Sequence, residues 1–128
     1  MPRPLRHLAF TLLVLLAARA SGADLVQITW GADGSYERDF SVSSAQPLEV
    51  CGRLPAGASV RWRFEGDAPT EFNIHHHEGR QVHFAAREND SRKAEGVLQV
   101  VQEQDYCWMW TRKASPAASV RVWFDRSP

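Results

Sequence analysis

Cysteine is scarce in this chain. Cys51 and Cys107 are the only two, and no C-x-x-C occurs, which argues against a thioredoxin-type redox pair and against a cysteine-rich zinc site. No apolar run is long enough to span a bilayer: the longest, Leu8 to Ala18, has 11 residues, where a helix needs about 20. Charge of one sign is not in excess, with 15 basic and 15 acidic residues, and no basic run suggests nucleic acid or an anionic membrane surface. No window carries apolar residues at the 3.6-residue spacing of an amphipathic helix. H-E-x-x-H and serine nucleophile elbows are missing, and no histidine follows His83, so a blue-copper ligand order is excluded.

The N-terminus has a layout of its own. Arg3 and Arg6 precede the apolar run, and Ser21-Gly22-Ala23 supplies small residues before Asp24. That is the pattern of a secretory signal, and no cysteine ends the run as a lipoprotein anchor would require. Residues 1–23 are therefore expected to be removed, leaving 24–128 as one exported domain, periplasmic or secreted, with no membrane span. Two cysteines in an exported chain point to a Cys51–Cys107 disulfide, against the alternative of two buried thiols. Closing so long a loop would contribute about 4 kcal/mol.

What fills residues 24–128 is strand. "LVQITW" (25–30), "YERDFSV" (36–42), "PLEVCGRL" (47–54), "ASVRWRFEG" (58–66), "FNIHHH" (72–77), "VLQVVQ" (97–102), "YCWMWT" (106–111) and "SVRVWF" (119–124) are separated by turn clusters such as "GADGS", "PAG" and "DAP". In the fourth, Val60, Trp62 and Phe64 oppose Arg61, Arg63 and Glu65. In the last, Val120, Val122 and Phe124 oppose Arg121 and Trp123. The polar "ARENDSRKAEG" (86–96) reads as a long connection. About eight short strands at roughly ten-residue spacing predict an all-β fold, an antiparallel jelly-roll-like β-sandwich.

Three segments, "EVCGRLPAGASVRWRFE", "TEFNIHHHEGRQV" and "EGVLQVVQEQDYCWMWTRKASPAASVRVWF", resemble the GOLD (Golgi dynamics) domain over about residues 38 to 125. The resemblance implies a β-sandwich that binds a protein or ligand, and it matches Cys51 and Cys107 to the paired cysteines of the family's cargo receptors. The coiled coil and membrane helix of those receptors have no counterpart after Phe124, so the implied role is a binding module and not a trafficking receptor.

The histidines are concentrated. All but His7 lie in "FNIHHHEGRQVHF" (72–84). Alternation places Phe72, Ile74 and His76 on one face and Asn73, His75 and His77 on the other. With a three-residue turn at "EGR", His75 faces His83, and Phe72, Ile74, Val82 and Phe84 share an apolar face. That register gathers His75, His77 and His83, spaced to converge on one copper or zinc ion. The alternative is a polar strand face that merely carries histidines. In "YCWMWT", Tyr106, Trp108 and Trp110 share a face; it is either buried in a central strand or an aromatic strip that contacts a partner.

Together these features predict an exported, non-catalytic binding module for a protein or small ligand, not an enzyme. A copper- or zinc-binding envelope protein using the histidine hairpin is the alternative.

Overall fold

The computed structural model describes residues 23–128; the expected signal segment lies outside them, apart from Ala23. Among these described residues there are seven strands: β1 (Asp24–Gln27), β2 (Ser35–Val42), β3 (Leu48–Leu54), β4 (Ser59–Glu78), β5 (Gln81–Gln99), β6 (Gln104–Thr111) and β7 (Ala118–Ser127). They make one curled sheet in the order β1-β3-β6-β4-β7-β2, with β5 paired to β4 off that path. All pairings are antiparallel except β1 with β3, which is parallel. The all-β sandwich-like class is as expected; the sheet is mixed and not purely antiparallel. No helix among the described residues is long and apolar enough to cross a membrane.

The strand count falls short of eight because two expected breaks are absent. "ASVRWRFEG" and "FNIHHH" belong to the single long strand β4, and the polar 86–96 segment lies inside β5. The turn signal "DAP" marks a bend instead. Ladder register shifts between Glu65 and Thr70, where Pro69 cannot donate to the ladder and a bulge tolerates it. At this bend β4 changes neighbours: residues 59–66 pair with β7, and residues 71–75 pair with β6. The β4–β5 hairpin thus runs through both layers and joins them.

Between the layers lies the core. Trp108, Trp110, Phe64, Phe124, Leu48, Leu54 and Ile74 are its largest fully buried side chains. Phe64, Phe72 and Trp110 meet at ring separations of 4.8 to 5.6 Å, within the range of favourable aromatic pairs. Gly96, opposite Trp62 on β4, leaves space for that indole: a Cβ there would stand 2.7 Å from its Cζ2.

On the opposite side of β3 and β6 from the core, Cys51 and Cys107 are paired in register and joined by a disulfide, as expected.

Candidate functional site

The hairpin that carries the histidines turns through two residues, Gly79 and Arg80, because Glu78 pairs with Gln81. Gly79 has φ 60°, the positive value that the first position of a tight primed turn demands. His77 then pairs with Val82, His76 with His83, and His75 with Phe84. This corrects the three-residue register, and with it the expected meeting of His75, His77 and His83 on one side. The apolar pattern was a poor guide here. Val82 and Phe84 are 42% and 44% exposed at a sheet edge, and a bulge at Ala85, between the pairs Ile74–Ala86 and His75–Phe84, restores the phase before the core is reached.

The histidines divide between two faces. His75 and His77 lie on the outer face with ring centroids 5.2 Å apart. His76 and His83 stack on each other at 5.1 Å, and His76 lies 5.1 Å from the Tyr106 ring. Alternation along β4 is as expected; only the partner strand is displaced by one residue.

His75 is 4% exposed although it faces outward. Its cross-strand neighbour on β6 is Cys107. Its Nε2 is 3.2 Å from Glu49 Oε1, and its Nδ1 is 2.7 Å from Asn73 Oδ1. Burial holds the imidazole pKa below its usual 6.5, and the Glu49 charge opposes that shift only in part. Glu49, His75 and Cys107 bring donor atoms within 4.8 Å of one another. The Cys107 sulfur is committed to Cys51, however, and both His75 nitrogens already have close partners.

Trp108 and Trp110 are 0% exposed. They form core and present no surface to a partner, which corrects the aromatic-strip expectation. Trp30 and Trp123 are the partly exposed tryptophans, and of the two it is Trp123 that lies within a strand, β7. Its ladder neighbours are Glu37 on β2 and Arg63 on β4, with Arg63 flanked in turn by Glu95 on β5. The Arg63 guanidinium carbon is 4.0 Å from the Trp123 ring centroid, and that of Arg121 is 5.9 Å away. Arg121 is itself held by Asp39, through Nε–Oδ1 at 2.6 Å and Nη2–Oδ2 at 2.8 Å. A groove of about 610 Å³ opens beside this row, lined by Arg61, Arg63, Glu95, Val97, Trp123 and Asp125. The sequence held the signal for this site. Alternation in "SVRVWF" sets Trp123 beside Arg121, away from the valines.

No protein-family model and no curated protein matches the sequence. Solved structures do. The periplasmic inhibitor of g-type lysozyme PliG from Aeromonas hydrophila superimposes with a TM-score of 0.66 at 13% identity, covering 84% of this chain and 98% of that one. PliG from Salmonella Typhimurium gives 0.59 at 7% identity, with 82% and 99% covered. The pre-peptidase C-terminal domain of a Bacillus anthracis collagenase gives 0.56 at 9% identity, with 82% and 96% covered. At these identities the likeness is one of fold. None of the three is a GOLD domain; they share with that resemblance the β-sandwich-like architecture.

Proposed function

We propose that the chain is an exported, non-catalytic binding module whose partner is a protein, with a lysozyme-type glycosidase as the first candidate. The observation that carries this reading is the fold match over nearly the whole length of two periplasmic lysozyme inhibitors. The signal-like N-terminus and the Cys51–Cys107 bridge support export. The GOLD-like resemblance contributes the same coarse reading, a sandwich that binds another molecule.

The partner-facing surface is the outer face around Trp123. Tryptophan and arginine dominate binding energy at protein interfaces, and here they sit together on an open sheet face beside a groove. An open face suits a protein better than a small ligand, which is usually enclosed by its pocket. Acidic and basic side chains alternate across the same rows, so the rim can be read by a partner's complementary charges.

The test is inhibition. Tag-free exported protein is added to g-type lysozyme acting on a bacterial cell-wall suspension, and the loss of turbidity is followed. The expected outcome is a dose-dependent slowing of lysis, weakened by Trp123→Ala. Unchanged lysis by g-type and other lysozyme classes at saturating protein would reject a lysozyme partner.

A further inference from the structure

Two imidazoles and one carboxylate meet near the tip of the β4–β5 hairpin, on the face opposite His75. His76 and His83 are direct cross-strand partners, and their planes lie within 14° of parallel. Glu78 is two residues beyond His76, so alternation returns its side chain to the same face. It reaches both rings: Oε1 is 3.3 Å from His76 Nε2, and Oε2 is 3.2 Å from His83 Nε2.

These rings have bonding capacity that the protein leaves unused. His76 Nδ1 and His83 Nε2 are shielded from solvent and have no hydrogen-bond partner among the described residues; the His83–Glu78 contact is close but misaligned. Buried polar atoms are nearly always paired; an ion beside Glu78 would take up His83 Nε2, and would meet His76 through Nε2, the nitrogen that faces the carboxylate. A hollow of about 240 Å³ adjoins them, bordered by Phe84, Gln102 and Tyr106.

We infer that His76, Glu78 and His83 form a binding site for a borderline divalent transition ion, zinc or copper(II). Imidazole and carboxylate together suit these ions, whereas calcium and magnesium favour oxygen ligands throughout. Three protein ligands leave a fourth position, which faces the hollow and can take water. Two donors that each bond a tetrahedral ion at about 2.0–2.2 Å stand about 3.3–3.5 Å apart, which is near the spacing of Glu78 from each imidazole; the rings themselves are stacked 5.1 Å apart, so the side chains must still converge on one point. Glu78 and His83 are free to do so, each having a side chain 42% exposed beside a turn. His76 is more enclosed, at 17%, and packs on Tyr106, so it serves as the fixed member. The site is independent of the Trp123 face, which lies on another part of the sheet.

Zinc chloride and copper(II) chloride, titrated separately into tag-free exported protein by calorimetry, test this assignment. One ion per chain is expected, and the imidazole nitrogen resonances of His76 and His83 should move on binding zinc. His83→Ala and Glu78→Gln should each weaken binding at least about tenfold, since even groups that only support a ligand cost that much. His77→Ala should leave the affinity unchanged. Glu78→Gln preserves side-chain shape, so an unchanged melting temperature separates ligand loss from unfolding. Failure of both ions to bind at neutral pH would overturn the site. So would affinity that survives His83→Ala and Glu78→Gln but is lost in His77→Ala, which would place the ion on the other face.

Discussion

His75 of β4 and Glu49 of β3 are joined across the intervening strand β6, with Nε2 3.2 Å from Oε1. The imidazole is almost wholly buried, and burial keeps its pKa below the usual 6.5 despite the carboxylate. The unfolded chain therefore binds the proton at a higher pH than the native one. The stability this residue contributes is present above about pH 6.5 and is lost as pH falls through the depressed native value. Urea midpoints measured from about pH 7.5 down to about pH 5 should decline as the histidine range is crossed. His75→Gln, which can still donate to Glu49, should flatten that decline. A slope unchanged by the substitution would assign it to other groups.

Reduction should be costly. The disulfide spans 56 residues of sequence, and the chain-entropy relation for that loop gives about 4 kcal/mol. The Cys51→Ala/Cys107→Ala variant should lose roughly 2–5 kcal/mol in denaturant titrations. A loss below about 1 kcal/mol would show that the unfolded chain is not restrained by the bridge in the way a flexible loop would be.

The tryptophans should separate by face. Trp108→Ala removes a side chain with no exposure and should cost about 3–5 kcal/mol. Trp123→Ala removes an exposed-face cation–π contact with Arg63 and should cost about 1 kcal/mol or less. Thermal or urea unfolding of both variants checks the ranking. Equal losses would place Trp123 within the core.

Gly96→Ala should be destabilising by about 1–3 kcal/mol, because the new Cβ would meet the rigid Trp62 indole at 2.7 Å. A Trp62→Phe/Gly96→Ala pair should recover part of the loss, measured as a coupling energy between the two sites. Simple additivity of the two single changes would mean that the indole is not the obstacle.

Much of this architecture could be read in the chain itself. The alternation in "ASVRWRFEG" and "SVRVWF" set Val60, Trp62, Phe64, Val120, Val122 and Phe124 inward, where they are buried, and the cysteine pair was legible from compartment and count. Strand number was not, since a Pro-containing segment serves as a bend in β4 as readily as a turn, and a polar run can be an exposed edge strand such as β5. The histidine register failed for a related reason. At a free edge, Val82 and Phe84 stay partly exposed, so apolar pattern no longer selects the pairing, and the local signal that did decide it was Gly79. For Trp108 and Trp110 the sequence offered burial in a central strand or an outer aromatic strip, and the packing of two layers decides for burial.

The central claim, that this fold binds a protein partner of the lysozyme type, is tested most directly by calorimetric titration of tag-free exported protein into g-type lysozyme. One-to-one binding is expected, with a Kd of about 1 µM or tighter, equivalent to about −8 kcal/mol, and a loss of at least about 2 kcal/mol on Trp123→Ala. An absence of binding heat at several temperatures, with g-type and other lysozyme classes alike, would contradict it.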